Sequence, residues 1–489
     1  MKINPQSSYL GIMLSGSLFL ALVGCTVGPN YRRPSTPTAP AFSQTVPPPN
    51  PTNGSWKQAQ PGDAILRGKW WDIYHDTQLN ALEGKIAISN QTLKAAMDEY
   101  FQAREQVRVA RSNYYPTVGA GPSVSRTRES YNQPNTQRSV TKYQYNTFTL
   151  EGQALWEPDL WGQVRRTVEQ ASANEQASAA DLANVELSIR SELATDYFEM
   201  RGLDTQQALL DKTVSAYMDY YNLTTVRFKG GVATDVDVAE AETQLRTTRA
   251  QAIDIGVARS QYEHAIATLV GISASTFSLP PMRLHLDLPV VPPGVPSALL
   301  ERRPDIAAAE RRVDAANAQI GVAISAYYPR ITLNGVGGFE SSNPGTWLQG
   351  PSALWGLGGS ALETLFDAGR RHAITQQARD AYDMQAANYR QTVLVAFQEV
   401  EDNLVALRVL DEEAAVEKTA VNSAQRSLLL STKRYKGGVT TYLEVLTAQT
   451  AQLNNERTDA DITTRQFVAS VALIKALGGG WNTTQLPNP

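Results

Sequence analysis

Apolar positions recur at helical spacing over two stretches of this chain that are far longer than an ordinary helix. Arg370 to Lys436 contains neither proline nor glycine, and an unbroken helix of that length reaches roughly 100 Å. Globular helices average about 11 to 12 residues, so the pattern predicts a coiled-coil shaft and not a compact domain. In a matching earlier run, Gln163 to Lys229, the residues Leu182, Val185, Ile189, Leu193, Tyr197, Met200 and Leu203 recur at spacings of three and four. Such a stripe packs on neighbouring helices and is no cofactor site. The alanines and serines from Gln170 to Ala183 allow close approach and leave a polar face. Each long run stops at a double glycine, Gly230-Gly231 before Val232 and Gly437-Gly438 before Val439, and a Pro-free arm then returns to Val270 or Leu477. Both pairs of runs read as helical hairpins whose glycines supply a left-handed helix end.

The two hairpins align without gaps: Arg227 with Arg434, Val238 with Val445, Ala241 with Ala448, Thr243 with Thr450, Gly271 with Gly478. Upstream, the run from Ala110 through Tyr114-Tyr115-Pro116 resembles that from Ala323 through Tyr327-Tyr328-Pro329. The chain is therefore an internal duplication. Each repeat reads as helix, Tyr-Tyr-Pro, non-helical insert, very long helix, Gly-Gly-Val turn (229–235 and 436–442) and return helix. The expected units are repeat 1 at 70–278, a proline-rich linker at 279–298, repeat 2 at 299–480 and a tail at 481–489. The ordered chain is expected to begin near Trp70-Trp71, with a first helix from about Asp76 to Asn113.

The inserts, about 116–156 and 329–363, change period. Val118, Ala120, Pro122 and Val124 alternate with Thr117, Ser123, Ser125 and Thr127, and Ile331 and Leu333 alternate with Thr332 and Asn334, which predicts strands. Polar turns follow at Tyr131 to Asn135 and Asn343 to Gly345, before return strands from Tyr143 to Trp156 and through Trp355, Leu357 and Ala361. The first return strand alternates imperfectly, because Tyr143 and Tyr145 share one parity while Phe148 and Leu150 share the other. Segments of about 10 residues suit tilted strands crossing a bilayer. Four strands cannot close a barrel, and open edges are not tolerated in lipid, so several chains must build one barrel. Two chains or three would both give an allowed even number of strands.

Composition adds exclusions. The chain has 489 residues and a net charge of −4; its mean hydropathy is negative, and no basic patch suits nucleic acid. His75, His264, His285 and His372 are isolated, and neither a zinc-protease motif nor a nucleophile elbow occurs, so nothing points to an enzyme or a cofactor. Gly356 to Ser360 lacks the lysine of a phosphate loop and fits close strand packing. At the N-terminus, Lys2 precedes an apolar run from about Tyr9 to Val23 and then Cys25, the only cysteine, which predicts a signal segment over 1–24. Leu22-Val23-Gly24-Cys25 resembles the lipobox of bacterial lipoproteins, whose cysteine carries the lipid. Residues 25–69 are rich in proline and are expected to run as an extended tether that packs no core.

The lipobox with Val27-Gly28-Pro29-Asn30-Tyr31, the segment Leu299-Leu300-Glu301-Arg302-Arg303-Pro304-Asp305-Ile306, the segment Ala315-Ala316-Asn317-Ala318-Gln319-Ile320-Gly321, and the junctions Asp159-Leu160-Trp161-Gly162 and Leu365 to Arg370 together resemble the outer membrane factor family. These are the TolC-like and OprM-like channels of tripartite efflux pumps, in particular the NodT-type lipoprotein branch. The resemblance implies a mainly α fold with a membrane β-barrel. A homotrimer would close twelve strands in the outer membrane, extend a helical barrel into the periplasm, and be lipid-anchored at Cys25, with Thr26 favouring outer-membrane delivery. It implies passive export of drugs or other small molecules, with a periplasmic membrane fusion (adaptor) protein and an inner-membrane RND-type pump as partners. A duct for type I protein secretion is the nearest alternative, and a coiled-coil scaffold without a pore the more remote one. By position, Thr234, Asp235 and Tyr435 match a periplasmic gate, with Thr440 departing from the relatives' residues. Gly230, Gly231, Val232, Gly437, Gly438 and Val439 become adaptor-contacting tips. Asp235 and Asp237 read equally as an acidic constriction when three copies meet or as helix-capping residues, and Tyr435 also reads as packing between helices.

Overall fold

The computed structural model describes residues 26–36, 42, 68–128, 144–284, 287–289, 291 and 299–487. The signal segment, Cys25, the turn around Tyr131 to Asn135 and the linker prolines Pro292, Pro293 and Pro296 lie outside the described residues.

Repeated sequence gives repeated structure. In the first repeat, α1 (Thr77–Ser89) and α2 (Gln91–Ser112) lead to β1 (Thr117–Arg128), β2 (Gln144–Trp156), α3 (Gln163–Lys229) and α4 (Asp235–Leu269). The second runs α5 (Pro304–Ser325), β3 (Arg330–Ser341), β4 (Ala353–Leu362), α6 (Arg370–Lys436) and α7 (Tyr442–Ala476). Both long helices hold 67 residues, both return helices 35, and both α2 and α5 22. A 67-residue helix is about 100 Å long, so the shaft follows from two hairpins of equal length.

The helix expected from Asp76 to Asn113 is instead two. Asn90 leaves helical geometry at ψ 121°; its side chain accepts from the Leu93 amide at 2.8 Å and donates to the Leu269 carbonyl at 2.7 Å. One asparagine thus caps α2 while satisfying a carbonyl at the end of α4, and that tertiary bond favours the break.

Helix α3 is the spine, packing against α2, α4, α5 and α7, while α6 packs against α5 and α7. Gly202 marks the close approach of α3 to α7: a Cβ there would lie 2.2 Å from Thr464 Oγ1. Apolar cores gather around the middle of the shaft. One joins Trp70, Tyr74, Leu79, Ile86, Tyr197, Phe198, Val270 and Phe467, and another joins Leu299, Ile306, Val313, Tyr389, Val393 and Leu473. The linker is tied to the first by charge. Asp204 accepts from Arg201 at 2.6 Å, Arg259 at 2.7 Å and the Met282 amide at 2.9 Å, while Arg201 and Arg259 donate to the carbonyls of Pro280 and Leu279. Burial of these charges is tolerated because each is paired and hydrogen-bonded.

The tether departs from expectation. Residues 26–36 have neither helix nor strand, as their prolines dictate, yet they are docked along α3, α5 and α6. An extended chain presents unpaired carbonyls, and buried side chains take them up. Arg166 donates to Val27, Gly28 and the Asn30 side chain, and Asn317 donates to Pro29 at 3.0 Å. Tyr31 donates to Glu310 at 2.5 Å and Arg33 to the Tyr389 hydroxyl at 3.0 Å. Gly28, at φ +95°, crosses Gly321 so closely that a Cβ would sit 2.5 Å from its Cα. Phe42 is also buried, in the second core.

Candidate functional site: the sheet and the hairpin tips

The four strands form one antiparallel sheet in the order β1-β2-β3-β4. Directly paired residues share a face, so the register sorts the side chains. Val118, Ala120, Pro122 and Val124 pair with Ala154, Gly152, Leu150 and Phe148. Leu150 and Trp156 pair with Phe339 and Leu333, and Leu333, Gly335 and Gly337 pair with Gly359, Leu357 and Trp355. This face is apolar until Arg126, Asn146 and Ser341 at one end. The opposite face carries Thr117, Ser123, Ser125, Thr147, Thr149, Glu151, Gln153, Thr332, Asn334, Glu340 and Ser360, with Leu155, Val336, Leu354 and Leu362 as apolar exceptions. The parity conflict in β2 is resolved: Phe148 and Leu150 belong to the apolar face and Tyr145 to the polar one, while Tyr143 lies outside the described residues. Apolar side chains are left in the open, with Trp355 80% and Leu357 82% exposed, and among the described residues of one chain β1 and β4 each keep an unpaired edge.

Sheet and shaft are joined at the Tyr-Tyr-Pro motifs. The Trp156 indole donates to the Tyr114 carbonyl and the Trp161 indole to the Pro329 carbonyl, while Trp161 stacks on Tyr328 at 5.0 Å. Asp159 accepts from the amides of Val164 and Arg165, and Asp367 from those of Gly369 and Arg371, so each long helix begins with a carboxylate on its free amides.

At the far end of the shaft both turns close alike. The Val232 amide reaches the Arg227 carbonyl at 2.9 Å and the Val439 amide the Arg434 carbonyl at 3.0 Å, the six-to-one bond of a Schellman end. Only the second glycine of each pair is left-handed, Gly231 at φ +74° and Gly438 at +73°; Gly230 and Gly437, at −85° and −78°, are not, which corrects the expectation for all four. Val232 and Val439 project into solvent, 69% and 71% exposed. Thr234 and Asp237 form a reciprocal capping box: the Thr234 amide and hydroxyl donate to Asp237 and the Asp237 amide donates back to Thr234. Asp237 therefore serves α4 as a cap, whereas Asp235 is exposed in its first turn.

Tyr435 points inward. It is buried with Ala241, Tyr442 and Val445, where Tyr220, Tyr221, Leu428 and Leu446 also pack, so the tips of all four shaft helices converge on a tyrosine cluster. The Arg227 guanidinium lies 4.6 Å from the Tyr435 ring centroid and donates to its carbonyl at 3.3 Å, and Tyr220 and Thr432 share a hydrogen bond of 3.1 Å. These contacts join the first hairpin to the second. Thr440 sits half-buried in the second turn, before the Thr441 cap position, and Arg434 pairs with Glu444 across that turn at 3.2 Å. Sequence reasoning singled out Tyr435 and missed Arg227, Tyr220 and Tyr442. Arg227 carried a signal, since it heads the aligned Gly-Gly turns opposite Arg434.

Comparison with known proteins fits this architecture. The sequence profile described as outer membrane efflux protein matches residues 83–272 and 295–479. The probable efflux pump outer membrane protein TtgC of Pseudomonas putida is 31% identical over 462 residues, 94% of this chain and 93% of that protein. The outer membrane protein OprJ of Pseudomonas aeruginosa is 31% identical over 95% of this chain and 94% of its own length. Among solved structures, the outer-membrane channel OprN superposes with a TM-score of 0.84 at 28% identity, covering 94% of this chain and all of that one. The chain belongs to the outer membrane efflux protein family, a non-enzymatic transport family.

Proposed function

We propose that three copies of this chain form a gated outer-membrane duct, the exit channel of a tripartite pump for drugs, solvents or other small molecules. The observation that carries the reading is the two-faced sheet with two open edges. Between Phe148 and Trp156 the apolar face of β2 extends about 26 Å along the strand, close to the apolar band of an outer-membrane barrel. Three sheets joined edge to edge make twelve strands, leaving no edge in lipid and turning Glu151, Glu340 and the threonines toward a wet lumen. The name of TtgC supports pump association, and the names of TtgC and OprJ support outer-membrane location. Cys25 carries the lipid anchor, and docking of residues 26–36 holds its neighbour Thr26 beside Gly162, where sheet meets shaft.

The hairpin tips are the gate in this reading. Arg227 on Tyr435 holds the hairpins together, Asp235 lines the constriction, Thr234, Asp237 and Thr440 shape the turns, and Val232 and Val439 meet a periplasmic adaptor that links the duct to an RND-type pump. The test is single-channel conductance of the purified protein in a planar bilayer. A small, flickering conductance fits a duct at rest; absence of conductance from a protein proven inserted and oligomeric refutes the duct.

A further inference from the structure

Near the tips, three buried oxygens on α3 and α7 find no hydrogen-bond partner among the described residues. Thr224 on α3 and Tyr442 and Gln449 on α7 are 0%, 1% and 3% exposed. Thr224 Oγ1, Tyr442 OH and Gln449 Oε1 have no hydrogen-bond partner among the described residues. Their neighbours differ. Thr225 donates to the Tyr221 carbonyl at 2.8 Å, Tyr220 bonds Thr432, and the Tyr217 hydroxyl accepts from Gln244 at 3.4 Å. Tyr442 and Gln449 are two turns apart on one face of α7. The Tyr442 ring packs against those of Tyr220 and Tyr435, and Gln449 lines, with Tyr217 and Tyr220, a cavity of about 220 Å³ between α3 and α7.

These oxygens are withdrawn from solvent within a single chain, so neither a neighbouring protomer nor a docked partner can reach them while the hairpins stay packed. Parting the hairpins hydrates them. A buried oxygen without a partner retains its desolvation cost, whereas an apolar group of the same shape would carry none. We propose that Thr224, Tyr442 and Gln449 form a polar seam that raises the free energy of the shut tips relative to the parted ones, so that a modest push from a partner opens the duct. This rests on the reading of the tips as a gate. The seam works against the contact between Arg227 and Tyr435: one holds the hairpins together and the other keeps that hold weak enough to release.

The experiment uses Thr224→Val, Tyr442→Phe and Gln449→Leu, singly and together, with single-channel open probability and thermal midpoint read on the purified, assembled protein. Arg227→Ala is the control. The seam predicts a higher thermal midpoint and an open probability lowered about tenfold per substitution, since each removes an uncompensated buried polar group. If Arg227→Ala raises conductance while the seam variants leave it unchanged, raise it or lower the thermal midpoint, the seam is overturned and the gate stands. If Arg227→Ala leaves a large, steady wild-type conductance unchanged, the gate itself has failed. A misassembled triple variant leaves the single Tyr442→Phe, which deletes one oxygen, to decide.

Discussion

Arg227 and Tyr435 stand near the ends of the two longest helices and meet cation to ring, the guanidinium carbon 4.6 Å from the ring centroid and the Tyr435 carbonyl 3.3 Å from Nη1. A cation over an aromatic ring and one hydrogen bond are together worth ~1–2 kcal/mol at a half-exposed site. Arg227→Ala is therefore expected to shift the shut-to-open balance of each protomer about fivefold to thirtyfold toward open. Arg227→Lys keeps the charge but loses the planar stack, and should fall between. Single-channel recordings of the three proteins check this, and equal open probabilities would exclude the pair as a latch.

Asp235 and Asp237 lie two residues apart and should behave differently. Asp237 is bonded into the Thr234 capping box, so Asp237→Ala is expected to lower the stability of the first tip by ~1 kcal/mol and make its turn more susceptible to limited proteolysis. Exposed Asp235 caps nothing and, in a threefold constriction, would set ion preference. Asp235→Ala should leave proteolysis unchanged and reduce the cation-over-anion permeability ratio read from reversal potentials. A ratio that moves only with Asp237 would reverse the assignment.

Glu83 is buried at the middle of the shaft beside Arg190, whose Nη1 lies 3.3 Å away. Burial pushes the Glu83 carboxyl up to about 8 against the opposing pull of Arg190. A carboxyl that holds its proton more tightly when folded contributes stability that is fully present below its ordinary value of 4.5 and is lost as pH rises through about 8. Glu83→Gln should remove that loss, so the variant's thermal midpoint gains on the wild type between pH 5 and pH 8 and stays ahead above. Parallel wild-type and variant curves would mean that Arg190 keeps the carboxylate charged.

The hairpins were legible because their punctuation is local: a double glycine after a long periodic run has one structural meaning, and it recurs in both repeats. The strands were legible for the same reason, except at Tyr145, where a large aromatic on the polar face obscured a period that only the pairing of Phe148 with Val124 restores. What escaped depends on partners distant in sequence. Asn90 breaks a helix because the Leu269 carbonyl is there to receive it, and Arg227 meets Tyr435 because two hairpins lie side by side. Proline content reads residues 26–36 as extended chain but could not reveal that Arg166 and Asn317 wait for their carbonyls.

That docked strap makes the last prediction a contrast between neighbours. Gly28 needs both its positive φ and its missing side chain, since a Cβ would stand 2.5 Å from Gly321 Cα. Gly28→Ala must lift the strap from α5 and with it the Arg166 and Asn317 bonds that join residues 27–30 to both repeats. Cys25→Ser removes only the expected site of lipidation, and a closed barrel holds the protein in the membrane without it. Purified Cys25→Ser is therefore expected to assemble as the wild type does, while Gly28→Ala gives a smaller oligomeric fraction by size-exclusion chromatography. The opposite result, a monomeric Cys25→Ser beside a fully assembled Gly28→Ala, would mean that the lipid and not the strap organises the junction between sheet and shaft.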